Sequence, residues 1–100
     1  MSVYVDELIP SLRTRTWPYL QACHLTADTE AQLRGFAKRL GLKRIWFQNN
    51  TIPHYDLTRN KRQQAIRMGA IEIDRKQMAE RIRKHRKRRT NDQTQNTQLD

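Results

Sequence analysis

Residues 23–42, CHLTADTEAQLRGFAKRLGL, decide the fold of this chain. The first five residues of this stretch can form a short strand. Thr29 and Gln32 then form a capping-box pattern, in which each side chain can satisfy a backbone donor at the start of a helix. An apolar stripe at helical spacing follows and ends at Gly41, which can take the left-handed conformation that closes a helix. The stretch therefore predicts a strand followed by a capped helix.

The rest of the chain continues the same alternation. Short β-branched or aromatic runs predict strands, whereas capping residues and glycine stops mark the helices. The predicted strands are 3–5, 23–27, 45–47 and 70–73, and the predicted helices are 29–40, 58–68 and 74–89. Strand–helix–strand order favours crossover connections, so we expect an α/β fold with a small, mostly parallel sheet of three or four strands. Residues 49–57 are predicted to form a loop.

The apolar positions of these elements predict the core. Trp46 is expected on the opposite face of its strand. The residues expected to be largely buried are Leu33, Phe36, Leu40, Ile45, Phe47, Ile71 and Ile73.

The composition restricts the class of protein. Twenty Lys and Arg oppose ten Asp and Glu, which gives a net charge of +10. Such an excess attracts phosphate backbones, anionic lipid and acidic protein surfaces alike. Cys23 is the only cysteine, so neither an intramolecular disulfide nor a thiolate zinc cluster is possible. The chain has no signal-like leader and no apolar run near the roughly 20 residues of a membrane span. We therefore expect a cytoplasmic protein without a membrane role.

The basic segment is the strongest functional signal. Residues 75–89, RKQMAERIRKHRKRR, contain nine Lys and Arg against one Glu, which is +8 of the net charge. The apolar residues of this helix end at Ile82, so its first half can dock while its second half projects into solvent. The chain then divides into a compact domain, 1–82, and a basic helix extension with a disordered polar tail, 83–100. The residues expected to contact phosphates are Lys61, Arg62, Arg81, Arg83, Lys84, Arg86, Lys87, Arg88 and Arg89.

Histidines and carboxylates form a second candidate site. In a parallel sheet, ligands bind beyond the carboxyl ends of the strands, where the predicted elements place these side chains. The candidate catalytic residues are His24, Asp28, His54 and Asp56. The candidate metal ligands are Asp6, Asp28 and Asp56, whose hard oxygens suit Mg²⁺ or Mn²⁺. The aspartates could equally cap helices or turns, and His24 could be a hydrogen-bonded core residue.

Other catalytic templates are missing from the sequence. It contains no GxGxxG, P-loop, GxSxG or HExxH pattern. Cys23 and His24 do not make a dyad, because neighbouring residues of a strand point to opposite faces.

The order and spacing of several short motifs resemble a known family. These motifs are Val3-Tyr4-Val5-Asp6, Cys23-His24-Leu25-Thr26-Ala27-Asp28, Phe36-Ala37, Arg39-Leu40-Gly41-Leu42, Trp46-Phe47-Gln48, His54-Tyr55-Asp56-Leu57, Lys61-Arg62 and Met68-Gly69-Ala70. Over residues 1 to about 78 the chain is similar to the small bacterial and phage proteins grouped as domain of unknown function 4031. The resemblance implies no activity. It does imply that a set of polar residues belongs to a shared pattern, namely His24, Asp28, His54, Tyr55, Asp56, Lys61 and Arg62.

Three functions remain open from the sequence. The first is a small module that binds nucleic acid or another polyanion through its basic helix. The second is a metal-dependent phosphodiesterase or nucleotide-processing enzyme that uses the His and Asp residues. The third is a phage-type interaction factor that binds a host protein complex. Arg13, Arg15, Trp17 and Tyr19 could extend a nucleic-acid site by pairing charge with stacking surface, or the two aromatic residues could belong to the core.

Overall fold

The computed structural model describes the backbone of residues 2–99 and the side chains of residues 2–88. The strands are β1 (Val3–Val5), β2 (Ile9–Pro10), β3 (Gln21–Ala27), β4 (Tyr55–Leu57) and β5 (Ile71–Glu72). The helices are α1 (Glu30–Leu40), α2 (Arg59–Arg67) and α3 (Arg75–Leu99), and a 3-10 turn spans Arg44–Trp46. The α/β class that the sequence predicts is confirmed.

The strands form one mixed, five-stranded sheet around β3. β3 pairs antiparallel with β1, β2 and β4, and of the strand pairs that the structure describes only β1 with β5 is parallel. The expectation of a mostly parallel sheet was wrong. Parallel neighbours need a long crossover, usually a helix, but residues 6–20 between β1 and β3 contain no helix. The chain turns back instead and pairs antiparallel.

One of the predicted strands is also wrong. Residues 44–46 form the 3-10 turn, and the Ile45 side chain is 84% exposed rather than buried. The strand that joins the sheet is Tyr55–Leu57, inside the predicted loop. Its buried ends and half-buried centre fit the alternation of a strand with one face on the core. The apolar run at 45–47 favours a strand by its local composition, but the segment that forms hydrogen bonds with β3 is Tyr55–Leu57.

The core lies between one face of the sheet and the helices α1 and α2. Val5, Leu25 and Leu57 from the sheet pack there against the apolar stripe of α1 and Ala65 of α2. Of the predicted core, Leu33, Phe36, Leu40 and Ile73 are buried, Phe47 is half-buried, and Ile45 and Ile71 are exposed. Ile71 lies on β5, which is an edge strand, and is exposed, whereas Ile73, just after the strand, is buried.

The helix starts and stops follow the predicted local signals. Thr29 Oγ1 accepts a hydrogen bond from the Gln32 N–H at 3.2 Å, and Gly41 closes α1 with φ of 88°. At the start of α3, the Asp74 N–H donates to Gln77 Oε1 at 2.9 Å and Asp74 Oδ1 accepts from the Gln77 N–H at 2.7 Å. This exchange is a complete capping box.

The last helix runs further than its predicted end at Arg89. Its backbone is helical as far as Leu99, whereas the polar composition of residues 90–100 predicts a disordered tail. No glycine or proline follows Arg75 to end the helix. The side chain of Arg89 and those after it lie outside the described residues. Among the residues that the structure describes, no helix combines the length and the apolar character that a bilayer crossing requires.

Candidate metal centre

The face of the sheet opposite the main core carries a polar cluster. β3 and β4 pair His24 directly with Asp56. Their neighbours along the strands, such as Leu25 and Leu57, point into the core. Because successive strand residues alternate, the His24 and Asp56 side chains lie together on the other face. His54 joins them from the segment before β4, where it pairs with Gln48 in an isolated bridge.

Asp6 is aimed at His24 by a β-bulge. Residues 6–8, between β1 and β2, lie opposite residues 23–24 of β3, so one residue on this edge is extra. The carboxylate of Asp6 occupies the place of a ladder carbonyl: Oδ1 accepts from the His24 N–H at 2.6 Å, and Oδ2 lies 2.8 Å from His24 Nδ1. Asp6 therefore holds both the backbone and the ring of His24.

The contact with Asp6 fixes the chemical form of the His24 ring. A carboxylate only accepts, so Nδ1 carries the proton and the neutral ring presents a lone pair on Nε2. The pKa of His24 is raised, first because its ring donates this hydrogen bond to Asp6, while desolvation by burial opposes the shift. The side chain is 38% exposed, so the ring remains accessible from solvent.

His54 is held in the same tautomer by a different acceptor. Its Nδ1 lies 2.6 Å from the carbonyl oxygen of Ile52, which can only accept, so Nε2 is again the free nitrogen. His54 is buried, and its Nε2 lies 3.6 Å from Asp56 Oδ1. The second oxygen of Asp56 accepts from Gln48 Nε2 at 2.6 Å. The rings of His24 and His54 meet edge to face, with centroids 5.1 Å apart.

This arrangement has the features of a metal centre. One ligand atom each from His24, His54 and Asp56 lie within 4.8 Å of one another. Two ligands of one ion at bond lengths of about 2.0–2.2 Å are separated by roughly 3–4 Å, so modest side-chain rotation closes the set. Each candidate ligand is also held by a second protein group, as metal-binding His and Asp residues commonly are.

The donor set discriminates among metals. Two imidazoles and one carboxylate are typical of catalytic Zn²⁺ sites and of non-haem Fe²⁺ sites, and Mn²⁺ accepts the same mixture. Mg²⁺ prefers oxygen ligands throughout. Of the two ions expected from the sequence, Mn²⁺ therefore suits this cluster and Mg²⁺ does not.

Asp28 lies apart from this cluster. It accepts from the Ser2 N–H and from Arg81 Nη2, both at 3.1 Å. Asp28 lies four residues after His24 in extended chain, which is about 13 Å along the strand. Since β3 is antiparallel to β1, its end lies beside the start of β1 and far from Asp6. Desolvation acts to raise the pKa of Asp28, but the hydrogen bonds from Arg81 and Ser2 prevail and lower it. The predicted metal set Asp6, Asp28 and Asp56 is therefore not brought together.

Lys61 and Arg62, predicted to contact phosphates, are engaged within the domain. Lys61 Nζ donates to the carbonyl oxygen of Leu40 at 2.8 Å and so caps the end of α1. Arg62 Nε donates to the carbonyl oxygen of Asp6 at 2.8 Å, and Arg62 Nη2 lies 3.3 Å from Glu72. Arg62 therefore braces the bulge that positions Asp6.

The basic residues of α3 form a separate surface. Arg81 stacks over the ring of Tyr4 at 4.0 Å and pairs with Asp28, which docks the first half of the helix on the sheet. A cavity of about 740 Å³ lies beside it, with Lys84 and Arg88 among its lining residues. The exposed cations further along α3 are Arg83, Lys84, Arg86, Lys87 and Arg88.

Two groups that hold the candidate ligands were not predicted from the sequence, namely the Gln48 side chain and the Ile52 carbonyl. Gln48 follows the predicted strand 45–47, and Ile52 lies in the predicted loop 49–57. Of the two, only Gln48 was marked in the sequence, by the motif Trp46-Phe47-Gln48.

Cys23 is buried in the core, and its burial raises the pKa of the thiol to about 12, so the thiol stays protonated.

Comparison with known proteins agrees with the family resemblance. No curated protein and no solved structure matches the chain significantly. A family model matches residues 3–85, which covers every residue of the candidate centre and the first part of the basic segment. The resemblance in the sequence ended near residue 78, so the match reaches further into α3 than expected. The chain belongs to the family described as "Protein of unknown function (DUF4031)".

Proposed function

We propose that this protein is a metal-dependent hydrolase of phosphate diesters, acting on nucleic acid or nucleotides. The observation that carries the proposal is the convergence of His24, His54 and Asp56, with Nδ1 of each ring already held by Asp6 or by the Ile52 carbonyl. An ion on these three ligands retains positions for water and for a substrate oxygen. His24 and Asp56 are partly exposed, so a substrate can approach.

The chemistry assigned to such an ion is Lewis-acid hydrolysis. A divalent ion held by His24, His54 and Asp56 would act as a Lewis acid that favours deprotonation of a water and stabilises negative charge on a phosphoryl oxygen. In the proposed hydrolysis the water oxygen would bond to phosphorus, the ester P–O bond to the leaving group would break, and one proton of the water would end on the released alkoxide. A phosphate-rich polymer is the substrate class that suits the chain, because the basic run of residues 75–89, with +8 of the net charge of +10, would draw such a polyanion to the domain.

Metal binding is the first step to test. Chelator-treated full-length protein is titrated with Co²⁺, whose absorption bands report ligand type, and metal content after dialysis against Zn²⁺ or Mn²⁺ is measured by mass spectrometry. We expect one ion per chain. His24→Ala and His54→Ala should lose it, whereas His85→Ala, the third histidine of the chain, is the matched control and should keep it.

Hydrolysis is tested with bis(p-nitrophenyl) phosphate and with labelled DNA and RNA strands. Zn²⁺- or Mn²⁺-loaded protein should cleave the diester, and Asp56→Asn should abolish cleavage. A protein that binds the ion with full occupancy and yet cleaves none of these substrates would contradict the proposed reaction and leave a metal centre of another activity.

Binding of a polyanion by α3 is a second candidate function. It is favoured by the run of exposed cations that follows Arg81, beyond the residues that dock the helix. Phosphates neutralise such a run and release its counterions. The two functions are compatible, because a basic helix can bring a phosphate-rich substrate to the domain that carries the metal centre.

A further inference from the structure

A groove of about 840 Å³ adjoins the metal centre. Gln48 and Asp56 line it, and these are the residues that connect it to the cluster. Trp17, Tyr19 and Trp46 also line it, together with Lys61. A ligand in this groove therefore contacts aromatic rings and a proposed metal ligand at the same time.

The aromatic residues are placed for stacking rather than for the core. Trp17 and Tyr19 pack edge to face with centroids 5.1 Å apart, and Trp46 comes from the 3-10 turn. Tyr19 is 48% exposed and Trp46 46% exposed. Large aromatic side chains that stay this exposed on a small domain mark an interaction surface.

The charges that line the groove favour an anion. Lys43 Nζ lies 5.5 Å from the ring centroid of Trp46, and Lys61 also lines the groove, although its ammonium donates to the carbonyl oxygen of Leu40. Among the described residues that line the groove, the only carboxylate is Asp56, which an ion at the centre would neutralise. The ligand class that combines flat rings with negative charge is a nucleotide.

We propose that this groove binds unpaired bases of single-stranded nucleic acid by stacking and so leads a backbone phosphate to the metal centre. The inference rests on the proposed function for the role of the ion, but not for the stacking itself. A single strand is favoured over a duplex because the rings can stack only on bases whose faces are open. It is favoured over an apolar peptide because cations flank the rings.

The chain offers a direct optical probe of the groove. It contains two tryptophans, Trp17 and Trp46, and both line the groove. Stacking of a base on either ring should quench the fluorescence. We expect oligothymidylate to quench it in chelator-treated full-length protein, whereas heparin, which offers charge without bases, should bind without quenching.

Substitutions then assign the effect to the groove. Trp46→Ala should weaken binding of a labelled oligothymidylate by roughly 5- to 150-fold, as expected when one base–aromatic stack is removed, and Tyr19→Ala should weaken it in the same direction. Leu12→Ala is the matched control, since Leu12 is an exposed apolar residue outside the groove lining, and it should bind as the parent does.

Each remaining outcome counts against the inference. Oligothymidylate that binds without quenching, a duplex that quenches equally, or dTMP that quenches at the same concentration as the strand would overturn it. These measurements need no metal, so they are independent of the metal titration. If the protein does not bind the ion but oligothymidylate still quenches the fluorescence, the proposed hydrolase is excluded and the base-binding groove is supported. If the ion binds but quenching is absent, the groove proposal is excluded and the proposed hydrolase is unaffected.

Discussion

At the scale of single residues, Asp6 has the most demanding position. It is buried, sits in a bulge, and uses both carboxylate oxygens on His24 while Arg62 holds its backbone. A β-bulge commonly re-aims a side chain in this way next to a functional site. At the proposed metal centre we expect Asp6 to orient His24 rather than to bind the ion itself.

Asp6→Asn should weaken metal binding without removing it. The amide can still accept from the His24 N–H, but it cannot hold His24 Nδ1 as a charged acceptor, so the ring is less well fixed. Removal of such a supporting group typically lowers metal affinity about 10- to 100-fold. Competition titration against a chelating dye measures the change, with Asp74→Asn at the start of α3 as control. An affinity equal to that of the parent would show that Asp6 does not orient the ligand.

Asp28 should contribute to stability in a pH-dependent way. Its pKa is lowered in the folded protein, so its contribution is present above the ordinary value of 3.8 and is lost as the pH falls through the folded pKa. Asp28→Asn should therefore destabilise modestly at pH 7, within the ~0–1 kcal/mol of an exposed ion pair. Urea unfolding of both proteins from pH 7 downward should show the gap closing. A gap that widens in acid would contradict this assignment.

At the scale of elements, the helices were easier to predict than the strands. Capping residues, the apolar stripe of α1 and the glycine stops act within a few residues, so the sequence reports them directly. Strand pairing depends on distant partners. Residues 45–47 have the composition of a strand, yet β4 forms at Tyr55–Leu57, where the backbone pairs antiparallel with β3.

The same difference between local signals and long-range strand pairing explains which candidate site residues lie together. Of the four candidate catalytic residues, His24, His54 and Asp56 lie together, although the sheet is not the mostly parallel one that was expected, because they lie on the paired strands or directly beside them. Asp28 does not converge, because the direction of β3 carries it to the other end. The bulge at Asp6 has no local signature, since it arises from one extra residue in a pairing register.

The apolar stripe of α1 should be the main source of stability. Phe36 is buried against the sheet, so Phe36→Ala should cost about 3–5 kcal/mol in the free energy of unfolding. Ile45→Ala is the control: that side chain is exposed, and its change should stay within ~0.5 kcal/mol. Chemical denaturation of the two variants measures both values. Equal losses would mean that the turn at 44–46 packs on the core after all.

At the scale of the whole molecule, the excess positive charge and the main apolar core lie in different parts of the chain. Residues 75–89 hold +8 of the net +10, so the rest of the chain is nearly neutral. The main core draws on neither α3 nor its basic run. The compact domain, 1–82, and the basic helix extension, 83–100, can therefore be altered independently by mutation.

Removal of residues 83–100 should leave a folded domain with weaker polyanion binding. Met78 and Arg81, which dock α3, are retained. The log–log salt slope of binding should become shallower by roughly 0.7–0.9 for each phosphate that the truncated protein no longer neutralises. Fluorescence anisotropy with labelled DNA at several salt concentrations measures the slope, and circular dichroism checks the fold. A truncated protein with the same affinity and slope would exclude α3 as the polyanion-binding element.

The central claim is that His24, His54 and Asp56 hold one divalent ion. Crystals of the full-length protein grown with Zn²⁺ or Mn²⁺ test it most directly through anomalous difference maps recorded on both sides of the metal absorption edge. The account predicts a single strong peak about 2.0–2.3 Å from Nε2 of both histidines and from a carboxylate oxygen of Asp56. Ordered His24 and His54 rings with no anomalous peak between them, at saturating metal, would contradict it.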